Sequence, residues 1–276
     1  MEDSNLCTAI SSMVSTPLTA SPPAPRPSWL LLGTEPLRAT SEYLSHRMQR
    51  ALRRPPRQGD GHPVIVFPGL ASDGNPVAPL VDHCKARGYQ AMDWGRGFNT
   101  GPGRDVDAWL RELASDIRMR VENSMQPGSS AVAPTLIGWS LGGIYARELA
   151  KLPGMKVRQV ITIGTPFNGN PAQTHAGWLY RLLNGNSPDL SLALRKRLKR
   201  PPPVPTTSIY SRSDGVVAWQ ACSHDEQGAR VQDIEVQSSH LGMGWNPAVL
   251  RLVSNRLAQP SQGWRRYRSD AAAQPR

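Results

Sequence analysis

The stretch LIGWSLGGIY, residues 136–145, sets one serine among three glycines at the end of an apolar run. Glycine weakens the interiors of strands and helices alike, so Gly138, Gly142 and Gly143 need a reason to surround Ser140. A strand that turns at once into a helix supplies it. The turn forces the residue at its apex into a strained backbone conformation, and flanking side chains would obstruct the approach. The pattern G-x-S-x-G therefore reads as a nucleophile elbow. It lifts the Ser140 hydroxyl above the carboxyl ends of the strands, beside a helix N-terminus that favours developing negative charge.

A serine hydroxyl attacks only if a histidine takes its proton and an acid orients that histidine. Both are expected downstream at strand ends. YSRSDGVVAW places Asp214 after the run TTSIYS, and VQSSHLGMGWNP places His240 after the run DIEVQ. The chain order is then Ser, Asp, His, the order expected where a strand-to-helix elbow carries the nucleophile. Asp214 also reads as a turn residue, since Asp-Gly is a common turn signal. Asp225 and Glu226 are the reserve acids and His224 the reserve base, although His224 precedes the last strand. His46, His62, His83 and His175 are more simply core or surface histidines. Acyl transfer further needs donors aimed at the oxyanion. The expected pair is the backbone N–H of Leu141, directly after the nucleophile, and that of Leu70, in the loop FPGLASDGN where Gly69 lets the chain turn.

These residues need a scaffold, and the sequence alternates short β-branched runs with helical stretches, the pattern of a mostly parallel sheet covered by helices. Strands are expected over 62–69, 89–95, 133–139, 157–164, 206–211 and 233–237. Several are apolar without alternation, as strands buried on both faces are. Helices are expected over 76–88, 104–124, 141–154 and 246–258, each with apolar residues at three- and four-residue spacing. The fold class is α/β, one domain over 28–259, flanked by loose Pro/Ala/Ser-rich and basic tails at 1–27 and 260–276.

Composition constrains the partners. The net charge is +11, which admits contact with anionic surfaces, though a solvated basic exterior is the commoner source. No nucleic-acid partner is expected. Cys7, Cys84 and Cys222 show neither CxxC nor metal-ligand spacing and read as ordinary thiols. The first residues are acidic where a secretory signal is basic, and no apolar run approaches a membrane span, so a cytoplasmic protein is the default.

The stretch 62–258 resembles the α/β-hydrolase superfamily, and within it the bacterial serine lipases and esterases. VFPGL resembles their oxyanion loop, GWSLGG their elbow, IYSRSDGVV their acid loop and SSHLGM their histidine loop, while ITIGTPFNGNP resembles the G-T-P segment that follows their sixth strand. Pro68 stands where many lipases carry the His of an HG pair. The resemblance implies an α/β-hydrolase fold with a short helical lid and a carboxylic ester as substrate. It implies neither cofactor nor catalytic metal.

The lid falls in the insertion 166–205. Trp178, Leu179, Leu182 and Leu183 lie on neighbouring helical faces and are expected to border the acyl pocket. A second helix opens at Ser187 and Pro188 and carries Leu190, Leu194 and Leu198 with Arg195, Lys196, Arg197, Lys199 and Arg200. It reads either as a lid helix packed on the body or as a basic amphipathic segment on an anionic lipid surface. The expected activity is hydrolysis of small-molecule or lipid esters through an acyl-enzyme. Acyltransferase, thioesterase or polyester depolymerase chemistry with the same residues stays open, as does a catalytically silent binding protein on the same fold.

Overall fold

The computed structural model describes residues 26–52, 56, 59–103, 105–125, 132–168, 175, 192–225, 227–260 and 262–268. Six strands form one sheet: β1 Pro63–Phe67, β2 Gln90–Asp93, β3 Thr135–Trp139, β4 Gln159–Ile163, β5 Thr206–Tyr210 and β6 Val231–Glu235. Their order is β2-β1-β3-β4-β5-β6, and every neighbouring pair is parallel. All six expected strands are present, the last beginning two residues earlier than its apolar run suggests. β1, β3 and β4 are buried at every position, because helices cover both faces of the sheet.

Alternate side chains divide the core in two. Val64, Val66, Ile137 and Ile161 face α3 (Ala78–Ala86) and α7 (Pro247–Leu257), which contribute Leu80, Cys84, Val249, Leu250 and Val253. Ile65, Phe67, Leu136 and Val160 face α4 (Val106–Ser124) and α5 (Leu141–Leu149), which contribute Leu110, Leu113, Ile117, Ala146 and Leu149. Asp105 caps α4 through Ala108 N–H, and Asn246 caps α7 with Pro247 in the first turn. Cys84 and Cys222 are buried free thiols, and burial pushes the Cys84 thiol up to about 12.

Two helices precede the first strand and were not expected. α1 spans Trp29–Gly33 and α2 spans Glu35–Leu52. α2 is inverted relative to an ordinary surface helix: Glu35, Ala39 and His46 are buried, while Leu37, Leu44, Met48 and Leu52 are exposed. It packs on the segment around residues 241–244 and on α7.

Of the insertion 166–205, Trp178, Leu179, Leu182, Leu183, Ser187, Pro188 and Leu190 lie outside the described residues. The basic stretch forms α6, Leu192–Lys199, and it is anchored to the body. Leu198 is buried, Arg197 pairs with Glu148 at 2.9 Å and Asp107 at 2.7 Å, and the buried Arg147 guanidinium donates to the carbonyls of Leu198, Lys199 and Arg200. At the other end of the chain, Tyr267 exchanges hydrogen bonds with the Gln232 side chain on β6, and Arg256 donates to Arg265 O. Among the described residues no helix is long and apolar enough to cross a membrane.

Candidate active site

The parallel register brings four loops to one edge of the sheet. Phe67 at the end of β1 pairs with Gly138, Trp139 with Ile163, Ile163 with Ile209, and Tyr210 with Glu235. The loops that follow β1, β3, β5 and β6 are those expected to supply Leu70, Ser140, Asp214 and His240.

Ser140 has φ +53° and ψ −123° and directly precedes α5 without capping it through its side chain. Its N–H donates to Ile163 O at 2.8 Å, and its carbonyl accepts from Gly143 N–H at 3.0 Å. The surrounding glycines answer to contact. A Cβ on Gly142 would strike the carbonyl oxygens of Phe67 and Pro68, and one on Gly138 would strike the backbone of Gly142 and Gly143. Strand β3, helix α5 and the loop after β1 thus touch backbone to backbone around the serine. Leu141 N–H is the first of the helix and has no acceptor within it. Leu70 N–H makes no hydrogen bond among the described residues, whereas the next residue, Ala71, is held at φ +54° by its N–H bond to Asn99 O.

Asp214 and His240 are both buried and joined, Asp214 Oδ2 to His240 Nδ1, at 2.6 Å. The other carboxylate oxygen of Asp214 accepts the N–H groups of Val216 and Val217 at 2.8 and 2.7 Å. The imidazole rests against Gly164, immediately after Ile163, where a Cβ would come within 3.1 Å of Nδ1. Ser140 N–H binds Ile163 O, so the serine and the imidazole both lie against the end of β4. Trp139 Nε1 donates to His240 O at 3.1 Å, fixing the loop from below. Burial opposes charging of His240, but the Asp214 carboxylate, joined by Glu35, outweighs it and raises the imidazole above its ordinary pKa.

The reserve residues are engaged elsewhere. His224 binds Asp233 at 2.7 Å and the Arg147 guanidinium at 2.9 Å, and stacks on Phe167. Asp225 accepts from Asn168 Nδ2 and faces Lys199, and Glu226 lies outside the described residues. His62 binds Asp60 and Thr135, His83 binds Ser254, His175 binds Pro27 O, and His46 is buried on the inward face of α2.

Asn99, Glu35 and Glu42 had no motif to announce them. Asn99, fully buried, donates through Nδ2 to Pro68 O, while its backbone bonds both Ala71 and Ser72. Tyr145 of α5 donates to Asn99 Oδ1 at 3.1 Å, so one amide ties the loop after β1 to the elbow helix. Glu35 and Glu42 reach from α2 to the loops of Asp214 and His240. An acid pair seven residues apart, on the face opposite an apolar stripe, was the available signal for the last two. For Asn99 there was only its place before a Gly/Pro-rich turn.

No protein-family profile matches the chain. The chain is 26% identical over 107 residues to a pimeloyl-[acyl-carrier protein] methyl ester esterase of Legionella pneumophila, a match spanning 39% of this chain and 39% of that protein. Among solved structures, one described as LipS and LipT, two metagenome-derived lipolytic enzymes, superposes with a TM-score of 0.52 at 15% identity, over 72% of this chain and 92% of that one. The Pyrococcus furiosus esterase Pf2001 gives 0.50 at 15% identity over 72% and 83%. The all-parallel sheet and these superpositions agree: the chain has the fold of the α/β-hydrolase superfamily.

Proposed function

We propose that the protein is a serine hydrolase of carboxylic esters working through an acyl-enzyme. The observation that carries this reading is the buried 2.6 Å bond between His240 and Asp214 at the strand edge that also bears the strained Ser140. Ser140 Oγ attacks the ester carbonyl carbon while His240 Nε2 takes its proton, and Asp214 holds Nδ1–H and stabilises the imidazolium. The oxyanion accepts from Leu141 N–H and Leu70 N–H, each such donor being worth about 2.7–4 kcal/mol in the transition state. His240 then protonates the departing alkoxide, and water repeats the cycle on the acyl-enzyme with the same base.

The esterase named among the relatives and the lipolytic enzymes among the structural neighbours support an ester as the substrate class. Trp178, Leu179, Leu182 and Leu183 are proposed to line the acyl side of the substrate site, because in the fold this chain resembles an insertion at this place in the sequence covers the nucleophile. Labelling with a fluorophosphonate probe tests the nucleophile: the full chain should label and Ser140→Ala should not. A series of p-nitrophenyl esters from acetate to palmitate tests the pocket. Trp178→Ala should lose about tenfold more kcat/KM toward octanoate than toward acetate, the effect of losing roughly 1–3 kcal/mol of methylene contact. Equal losses on both esters would remove the acyl-pocket assignment, and labelling of Ser140→Ala would remove the mechanism.

A further inference from the structure

The base of the site is held from outside the sheet by a helix synthesised before its first strand. Glu35 Oε1 accepts the N–H of Gly215 at 2.8 Å and of His240 at 3.0 Å, and its Oε2 accepts the N–H of Leu241 at 3.0 Å. One carboxylate therefore spans the residue after the acid and the backbone of the base itself. Seven residues on, Glu42 accepts from Ser239 N–H at 2.7 Å and Ser238 Oγ at 2.9 Å. A Cβ on Gly242 would collide with Glu42 Oε2, so this side chain lies directly on the loop. We infer that Glu35 and Glu42 are positioning residues, a two-carboxylate clamp by which α2 sets the place of the His240 imidazole relative to Ser140 and Asp214.

The inference rests on the proposed hydrolytic reading of those three residues. Its physical basis is the geometry of the acceptors. The N–H groups of residues 215, 239, 240 and 241 belong to two loops beyond the ends of β5 and β6, where no ladder can satisfy them, and buried unpaired N–H groups are costly. A carboxylate accepts several at once and holds them with charge-assisted bonds. Stability alone explains the arrangement poorly. Taking a carboxylate out of water is expensive even when paired, and α2 spends its inward face on Glu35, which is 2% exposed, while leaving Leu37 and Leu52 74% and 79% exposed. An apolar inward face would pack the helix at less cost, but it would leave the loops of Asp214 and His240 unheld.

Among the described residues the charged groups around His240 are few. Asp214 faces it from the acid loop, and Glu35 from α2 with Arg38 bound to it at 2.9 Å. Arg38 also donates to Ser213 O, and Glu42 stands two turns further along the same helix. Trp139, whose ring lies 5.7 Å from the imidazole, and Gly164 also border it and carry no charge. Glu35 therefore acts on the imidazole twice, through the backbone it holds and through its negative charge.

The test uses the full chain with p-nitrophenyl acetate and thermal unfolding measured in parallel. Glu35→Gln should lower kcat by about 10- to 100-fold with KM changed less than about twofold, as expected when a catalytic group is displaced without loss of substrate contacts. It should also move the acidic limb of the kcat/KM profile to lower pH, because the anion behind the imidazole is gone. Glu35→Asp keeps the charge but withdraws it by one methylene, so kcat should fall while the limb stays in place. Glu42→Gln should cost about three- to tenfold in kcat and leave the limb unmoved. A folded Glu35→Gln with wild-type kcat and an unmoved limb overturns the clamp. If Glu35→Gln does not fold, unchanged kcat in Glu42→Gln overturns it. Should Ser140→Ala remain active, the hydrolytic reading itself fails; an inactive Ser140→Ala beside an active Glu35→Gln removes only the clamp.

Discussion

Ser140 occupies a left-handed backbone conformation that costs a non-glycine residue roughly 1–3 kcal/mol and persists only where its surroundings impose it. Here they do so through Ile163 O, Gly143 N–H and the close approach of Phe67 and Pro68 to Gly142. None of these involves the hydroxyl. Ser140→Ala should therefore leave the melting temperature unchanged and abolish ester turnover, which calorimetry and a p-nitrophenyl assay together would check. Asp214→Asn should fold yet lose about 10⁴-fold in kcat, because the amide favours the wrong imidazole tautomer. Asp225→Asn, at a residue engaged with Asn168 and Lys199, should change little. The pH profile follows from the same dyad. His240 must be neutral to accept a proton, and its pKa is raised above 6.5. Activity should fall on acidification through an apparent pKa above that value, the limb being read from kcat/KM against pH.

Elements explain what the sequence could and could not disclose. β1, β3 and β4 announce themselves as uninterrupted apolar runs because both their faces are covered, and the turn at Ser140 is readable because three backbones meet there and only glycine fits. Gly142→Ala tests that contact: with its Cβ driven into two carbonyl oxygens, it should destabilise the fold by more than about 2 kcal/mol in denaturant unfolding. Asp214 and His240 were singled out by position, each just past a strand, and the structure joins them at 2.6 Å. α2 was hidden for a physical reason. Hydrophobic periodicity locates a helix by the face it buries, and α2 buries Glu35, Ala39 and His46 while exposing its leucines. Its contacts are side-chain acceptors for loops 180 and 205 residues away, which no local pattern encodes. Asn99 was hidden likewise, being polar, in a loop, and meaningful only through Pro68, Ala71, Ser72 and Tyr145. Asn99→Ala should lower kcat more than it changes KM, since it releases the loop carrying Leu70.

Across the whole molecule, much of the basic excess is structural. Arg147 ends α6 and lies over the Phe167 ring at 3.7 Å, Arg158 binds Gln259 O and pairs with Asp60, and Arg256 reaches Arg265 O. The buried histidines set the acid response. His83 is lowered from 6.5 to about 4, chiefly by burial and then by Arg87, and His46 and His62 are lowered as well, in each case first by burial. The unfolded chain binds more protons than the folded one between these values, so stability is lost as pH falls from 6.5 toward 4. The melting temperature should decline over that window, and His83→Gln should flatten the decline.

The Glu35 contacts also bear on how the chain is made. Glu35 and His240 are 205 positions apart, so the helix proposed to steady the base is synthesised long before the loop it would steady. Of its three amides, that of Gly215 is made before β6, and those of His240 and Leu241 are made only after all six strands. Contacts of such long sequence separation close late and slowly. The sheet, with its neighbouring strands and crossover helices, can assemble progressively as translation proceeds, but the base cannot be held until α7 has nearly emerged. A nascent chain that has already built β3 and α5 therefore still lacks a seated His240, and under the proposed mechanism it gains competence for chemistry only after its sheet is complete.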